Sequence, residues 1–466
     1  MQEVTAVFDI GRTNKKFFLF DENFREVHRE YVSFDMIEDE DGFPTEDIQA
    51  LQKWLREVFH RILEAEEFNV AAINFSSYGA SFVHLDADGE VLTPLYNYNK
   101  PLPDDLVAGF YEKYGPEKSF TIDTGSNNAG MLNSGMQLYW LKHTKPEVFA
   151  RIKYSLHLPQ FLSYVFTGVP ISEYTSIGCH TALWDYTKKD YHDWVYAEQL
   201  QRVFPPIVST ETSINMNYNG KRVKIGVGIH DSSAALLPYI RSQRKPFILV
   251  STGTWSVSLN PFAAGALVED DLKDQCINYM RIDGKPVKAA RLFLGEEYKD
   301  QTTYLAKHFD VDERHHESVR FDLATYRKIV KNFQPWFHFA QLGGVGAEKT
   351  LIPDGVTYQH AYHHLMVELT RLQVANIQGA MGDVSVKKLF VDGGFSDNDV
   401  YLSVLTHHFR KLKVRTTDSS LGSALGAAIC ISDKALNSRF LQENYGLKKH
   451  QPFILKDSLP ASGLAG

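Results

Sequence analysis

The chain has 466 residues, 44% apolar and 23% charged, with a formal net charge of −8. That length exceeds what one hydrophobic core supports, so two or three domains of ordinary globular composition are expected. The acidic balance argues against a nucleic-acid binder, and any anionic substrate must be held by local dipoles and cations.

The three cysteines, Cys179, Cys276 and Cys430, lie far apart and form no C-x-x-C pair. That pattern predicts reduced, buried thiols, with neither a disulfide framework nor a zinc site. Met1 leads directly into a strand, with no basic region before an apolar one, and no apolar run nears the ~20 residues of a membrane span. A cytoplasmic protein without membrane partners is the expectation.

Residues 4–8 and 17–20 read as strands joined by a polar turn. Asp9 ends the first strand and could hold magnesium through water. Gly11, Thr13 and Asn14 can offer backbone and hydroxyl groups to a phosphate, and Lys15 or Lys16 can add charge. A plain surface hairpin explains the same pattern. Thr45 reads as the N-cap of a helix whose stripe is Ile48, Leu51, Leu55, Val58, Phe59 and Ile62. Strands at 70–75, 82–85 and 91–92 then read as a β-meander with a polar connection at 76–81. Tyr96-Asn-Tyr-Asn-Lys100 joins aromatic faces to amides, which suits a sugar as well as an ordinary loop. Residues 104–167 look helical, and a hydroxyl-rich run covers 172–185.

The apolar run 223–229 leads into His230 and Asp231, and small residues follow at once. Asp231 is either the N-cap of the next helix or a carboxylate at a strand end, where open α/β sheets place their chemistry. Pro238 to Pro246 reads as the hinge between two halves. Beyond it, a strand at 247–250, the turn Ser251-Thr-Gly-Thr254 and a strand at 255–259 repeat the design of the N-terminal hairpin. One phosphate loop per half is what a nucleotide clamped between related domains needs. Residues 295–333 show no assignable pattern. The loop Leu342-Gly-Gly-Val-Gly346 lacks dinucleotide-binding spacing. A helix at 361–381, a strand at 388–391 and Asp392-Gly-Gly-Phe-Ser-Asp-Asn398 follow, and a small-residue helix at 422–428 ends the pattern. Gly393-Gly394 allows a planar base to lie on backbone, or simply a tight turn. The pairs His315-His316, His363-His364 and His407-His408 read as surface histidines.

Taken in order, these stretches resemble the FGGY family of carbohydrate kinases, from Val4 to about Cys430. The resemblance rests on Asp9-Ile-Gly-Arg-Thr-Asn14, on Ser77-Tyr-Gly-Ala-Ser-Phe82 with its Leu85-Asp-Ala-Asp-Gly89 turn, and on Gln137-Leu-Tyr-Trp-Leu-Lys142. It continues through Glu173-Tyr-Thr-Ser176 to Leu183-Trp-Asp185, then Gly228-Ile-His-Asp231, Ser251-Thr-Gly-Thr-Trp-Ser256 and the Asp392–Asn398 motif. It implies an α/β fold of two related actin/hexokinase-like (ribonuclease H-like) ATPase domains, residues 1–240 and 241–466, with a cleft between them. The implied reaction is ATP-dependent phosphorylation of a sugar or polyol hydroxyl, with magnesium and without nucleic-acid or membrane partners. A homodimer is compatible with it. Asp231 looks like the general base and Asp9 like the magnesium-side carboxylate. Gly11, Thr13, Asn14, Lys16, Thr252, Gly253 and Thr254 look like phosphate contacts, and Gly393, Gly394 and Asn398 like adenosine contacts. His230, with Tyr78, Gly79, Ser81 and Glu173, looks like the sugar side.

His230, Glu173-Tyr-Thr and the Ser-x-Gly-Thr-Trp-Ser form resemble the rhamnulokinase and fuculokinase branch, whose substrates are deoxy-ketohexoses phosphorylated on O1. Two positions depart from it. Gly79-Ala-Ser-Phe82 stands where that branch shows Gly-Val-Asp-Phe, and Arg12 stands where a small hydroxylated residue is usual, adding a cation beside the phosphate loop. A pentulose or polyol kinase is the alternative reading. An actin-like ATPase module without a sugar substrate is another, but it has no use for His230-Asp231.

Overall fold

The computed structural model describes residues 1–453 apart from Thr13, Ala80, Ser419 and Ser420. Its framework is two sheets built on one plan. In the first, Gln2–Ile10, Lys15–Asp21 and Glu26–Val32 run antiparallel in sequence order. Phe68–Ser77 pairs parallel to the free side of Gln2–Ile10, and Lys221–Gly226 and Ile229–His230 pair parallel to Phe68–Ser77. In the second sheet, Phe247–Thr252, Ser256–Asn260 and Pro286–Leu292 are antiparallel neighbours. Lys388–Gly393 lies parallel to Phe247–Thr252, and Lys413–Thr417 parallel to Lys388–Gly393. Each half thus opens on a hairpin, adds parallel strands on the far side of its first strand, and then runs into a small-residue helix. These helices are Asp231–Ser242 and Gly422–Cys430.

The two helices pack on each other where the halves meet. Gly426 permits the crossing, since a Cβ there would fall 1.8 Å from Ala234 O. Asn74 ties the junction further: its amide donates to Ala427 O at 2.8 Å, and its Oδ1 accepts from Gly228 N at 3.2 Å. One buried cluster joins Val7, Phe18, Ile229 and Leu236 to Phe247, Phe390, Ala424 and Leu425, so the halves share apolar core.

Helix Ile48–Glu64 buries the predicted stripe, but its N-cap is Asp47, which accepts from Gln49 N and Ala50 N. Thr45 lies in strand Pro44–Glu46, and its hydroxyl donates to Leu95 O. The expected meander does not form. Phe68–Ser77 is flanked on both edges, so Phe82–Leu85 pairs instead with Tyr154–His157, and Val91 makes a single bridge to Leu85. Pro238 lies inside helix Asp231–Ser242, which leaves residues 243–246 as the link between the halves. The unassigned stretch folds largely as helices Leu294–Phe309 and Leu323–Lys331.

The surface reading fails for His363 and His364, which are buried on helix Tyr358–Met381. That helix is packed on more than one face, so neighbouring positions are both interior. His364 Nδ1 lies 2.9 Å from Glu368 Oε1, one turn on, and its ring stacks 3.7 Å from that of Trp336. His407 stacks on Phe453 at 4.1 Å. No helix among the described residues is long and apolar enough to cross a membrane.

Candidate active site

Strand register brings the key residues together. Asp9 pairs with Ser76 and Ile10 with Ser77 on one side of Phe68–Ser77, while Ile229 and His230 pair with Ser76 and Ser77 on the other. The carboxylates of Asp9 and Asp231 therefore sit at strand ends on either side of Phe68–Ser77, at the same end of one sheet. Asp9 is 7% exposed. Its Oδ1 accepts from Ser423 Oγ at 2.9 Å, and Lys16 Nζ stands 3.9 Å from its Oδ2. Burial pushes its carboxyl up, Lys16 and Ser423 oppose this, and the charge of Asp231 adds to it.

Asp231 is the first residue of its helix. The N-cap position is His230, whose side chain caps nothing, so Asp231 is not the N-cap. Its Oδ1 accepts from Ser232 N at 2.5 Å and from Ser232 Oγ at 3.1 Å, with His230 Nε2 at 3.2 Å. Oδ2 accepts no bond from the described residues, and the side chain keeps 37% of its surface open. Burial of the surrounding site pushes this carboxyl up to about 6, against the pull of the Ser232 hydrogen bonds. It is therefore mostly ionised at neutral pH, with a free oxygen.

Beside it lies a cluster of rings. Burial holds the His230 and His180 imidazoles down at about 3, so both are neutral. The rings of His230, His180 and Tyr279 lie 5.6–6.0 Å apart. With Nε2–H directed at Asp231, His230 Nδ1 is an acceptor, and it is buried without a partner among the described residues. Gly79 allows this packing, because a Cβ would fall 2.4 Å from Cys179 Sγ and 2.7 Å from His230 Cδ2. His180 adopts φ +33°, a left-handed conformation rare for a residue with a side chain.

Glu173 is placed differently from the expectation. It is fully buried, and its carboxylate accepts from Thr175 N (2.7 Å), Ser176 N (2.6 Å) and Thr210 Oγ1 (2.6 Å). Those bonds occupy the group, so it is an internal anchor. Thr175 Oγ1, which donates to Glu173, accepts from His230 N at 3.0 Å, so Glu173 acts on the site at one remove. Tyr78 and Ser81 are also committed inward, Tyr78 OH to Glu46 at 2.9 Å and Ser81 Oγ to Tyr96 O at 3.4 Å.

The first hairpin turn is closed by Gly11 N donating to Asn14 O at 3.0 Å, while Thr13 lies outside the described residues. Lys15 is paired with Glu46 at 2.6 Å, which leaves Lys16 as the cation beside Asp9. Arg12, on the same turn, is exposed and keeps its charge against an aromatic face. Its guanidinium sits 4.9 Å from the centre of the Tyr98 ring.

The second turn locks onto the Gly-Gly motif. Gly394 N donates to Thr252 O at 2.8 Å, Thr252 Oγ1 donates to Asp392 O at 2.5 Å, and Phe395 N donates to Thr252 Oγ1 at 3.0 Å. Gly393 takes φ +86°, and a Cβ there would strike Thr252 O at 2.0 Å. Gly253 and Gly394 are open instead, with nothing nearer than 3.8 Å to an added Cβ, and Thr254 is exposed. Asn398 caps helix Asp399–His408 through Tyr401 N, and its amide donates to Tyr362 OH at 2.9 Å, so its side chain is a scaffold of this end. Sequence reasoning missed His180, Tyr279, Ser423 and Arg291. His180 stood within a quoted motif, but no pattern in sequence linked it to Tyr279.

The N-terminal domain model of the FGGY family of carbohydrate kinases matches residues 4–236, and the C-terminal domain model of the same family matches residues 244–439. A rhamnulokinase from Halalkalibacterium halodurans is 25% identical over 260 residues, 53% of this chain and 52% of its own, so the match spans about half of that relative. A carbohydrate kinase structure from Novosphingobium aromaticivorans aligns with a TM-score of 0.78 and 23% identity, over 97% of this chain and 94% of that one. A gluconate kinase from Lactobacillus acidophilus aligns with a TM-score of 0.77 and 14% identity, over 97% and 94%. Both structures show the two-domain actin/hexokinase-like fold. With family models matching both halves in order, the chain belongs to the FGGY family of carbohydrate kinases.

Proposed function

We propose that the chain is an ATP-dependent sugar kinase that phosphorylates a ketose hydroxyl, O1 of a 6-deoxy-ketohexose such as L-fuculose or L-rhamnulose. The observation that carries the reading is Asp231. It is a carboxylate at a strand end, beside the ring cluster, with a pKa raised to about 6 and one oxygen that accepts no bond from the described residues. A base with that pKa is mostly ionised at neutral pH and still able to take a proton.

In this reading Asp231 Oδ2 accepts the proton of the sugar hydroxyl as its oxygen bonds to the γ-phosphorus of ATP. The bond from that phosphorus to the β,γ-bridging oxygen breaks, and ADP leaves. His230 Nδ1, a buried acceptor without a donor among the described residues, takes a hydrogen bond from another sugar hydroxyl. Thr252, Gly253 and Thr254 present the second turn to the phosphates, with Gly11, Thr13, Asn14 and Lys16 opposite. The open backbone at Gly394 suits the nucleoside. Asp9 fits magnesium: it is a hard oxygen donor with Lys16 Nζ no nearer to its Oδ2 than 3.9 Å and a second carboxylate, Asp231, nearby. Bound with ATP, the ion would neutralise phosphate charge.

The deoxy-ketohexose assignment is supported by Glu173-Tyr-Thr and by the relative named rhamnulokinase. Here Glu173 serves as the anchor that aims His230. A pentulose or polyol is the second reading, favoured by Ser81, which offers no carboxylate to the sugar. A coupled ATP assay over L-fuculose, L-rhamnulose, D-xylulose, D-ribulose and glycerol, with Asp231→Asn alongside, tests both. The variant should fold and bind nucleotide, with kcat reduced by about 10²-fold or more. Retention of more than about a tenth of kcat, or ATP hydrolysis that no sugar stimulates, would sink the reading.

A further inference from the structure

Arg291 is a cation near the ring cluster that the proposed reaction leaves unused. Arg291 stands on strand Pro286–Leu292, paired with Val257 of the strand that returns from the second turn. Its Nη2 donates to Asn127 Oδ1 at 2.9 Å, and its guanidinium lies 5.8 Å from the centre of the Trp255 ring. Trp255, on the turn itself, is 49% exposed. The Arg291 charge acts on both His180 and Tyr279, and Tyr279 also feels Asp231. The guanidinium therefore lies within electrostatic reach of the ring cluster.

Asn127 belongs to the first half of the chain. Two residues before it, Gly125 O accepts from Asn278 N at 2.8 Å on the edge strand of the second sheet. Arg291 thus reaches across the junction of the halves, at the side of the cleft where the second turn and the rings approach each other.

Its charge is uncompensated. A guanidinium carries five N–H donors and stays protonated. Nearby cations are paired, Lys288 with Asp271 at 2.6 Å and Arg281 with Asp283 at 2.9 Å. Arg291 makes one neutral hydrogen bond and has no acidic partner among the described residues. A half-buried, unneutralised cation loses solvation that an incoming anion restores.

We propose that Arg291 is an oxyanion-binding residue of the cleft. With a neutral sugar the oxyanion is the phosphoryl group in transit, and with an acidic sugar it is the sugar's carboxylate. Which of the two applies rests on the kinase reading, but the anion site itself does not.

Trp255 supplies the reporter. In the purified full chain, inorganic phosphate should change tryptophan fluorescence, and Trp255→Phe should remove the change. Arg291→Gln should weaken the response by about tenfold or more, and Arg291→Lys, which keeps the charge without the fork, by less. Kinetics with neutral ketoses and with D-gluconate then separate the sources. If the phosphoryl group is held, Arg291→Gln lowers kcat by about tenfold or more on every accepted sugar and moves sugar KM little. If a carboxylate is held, it raises KM for the acidic sugar by about tenfold or more and leaves neutral sugars unchanged. A folded Arg291→Gln with the wild-type phosphate response and wild-type kinetics overturns the proposal. A wild-type chain that phosphorylates no sugar sinks the kinase reading alone, because the phosphate titration still decides the anion site. If Arg291→Gln does not fold, the Arg291→Lys titration decides: an affinity equal to wild type on every readout overturns the proposal.

Discussion

Gly426→Ala tests how the halves are joined. The added methyl would stand 1.8 Å from Ala234 O and 2.4 Å from its carbonyl carbon, whereas real Cβ atoms essentially never come under 3.0 Å. Both obstructing atoms are backbone, so no rotamer change relieves the overlap, and the helices must part by roughly 1 Å in a close-packed interior. Overpacking costs about 1–3 kcal/mol where side chains can yield. Here the upper end, about 3 kcal/mol, is expected, a large share of a typical stability of roughly 5–15 kcal/mol. Function should suffer too. Ala234 shares its helix with Asp231, and Ser423, on the helix of Gly426, donates to Asp9. The assay is the urea midpoint together with ATP-dependent activity. Gly109→Ala serves as control, since an added Cβ there meets nothing within 4 Å and the change should stabilise helix Asp104–Tyr114 by about 0.5–1 kcal/mol. A Gly426→Ala chain with wild-type midpoint and activity would refute the close crossing.

Further outcomes follow from the site. Because Asp231 must be ionised to accept a proton and its pKa is raised to about 6, kcat/KM for the sugar should fall about tenfold per pH unit below that value and level off above it. A flat profile from pH 5 to 8 would contradict this role. Gly79→Ala should press on His230 Cδ2 and Cys179 Sγ, raising sugar KM by about tenfold while ATP KM stays nearly constant; the reverse pattern would put Gly79 at the nucleotide end. Glu173→Ala leaves the buried groups of Thr175, Ser176 and Thr210 unpaired and should cost about 3 kcal/mol or more in urea unfolding. An unchanged midpoint would show that Glu173 is no anchor. Thr254→Val should raise the KM for ATP with sugar binding nearly intact, and an effect confined to the sugar would move the second turn elsewhere.

The duplicated plan was legible in sequence because a strand, a polar glycine-containing turn and a second strand form a local pattern. Its repetition after residue 246 needed no tertiary knowledge. Helix Ile48–Glu64 was legible from its stripe, and its cap was missed because Asp47 and Thr45 are equally good chemistry two residues apart. Asp9 and Asp231 could be picked out because each ends an apolar run. What could not be read was pairing between distant segments. Phe82–Leu85 has the composition of a meander strand, yet its place beside Phe68–Ser77 is taken by Lys221–Gly226, far along the chain. Glu173 looked like a site residue because Glu173-Tyr-Thr resembles a motif of the rhamnulokinase and fuculokinase branch. Its actual partner, Thr210, lies 37 residues away. His180, Tyr279 and Arg291 come from three segments that only the docking of the halves unites.

The buried thiols make the protein its own reporter of motion. Burial raises all three, Cys276 and Cys430 to about 12, so at neutral pH the thiolate fraction of those two is on the order of 10⁻⁵ and alkylating reagents find almost nothing to attack. Reaction then waits for the surrounding structure to open. The three positions mark different joints. Cys179 lies behind Gly79 at the ring cluster, Cys276 sits on the edge strand of the second sheet, and Cys430 Sγ donates to Thr210 O across the junction of the halves. Peptide-resolved alkylation rates would therefore time three openings in one experiment, and a ligand seated in the cleft should slow Cys179 while Cys276 keeps its own pace.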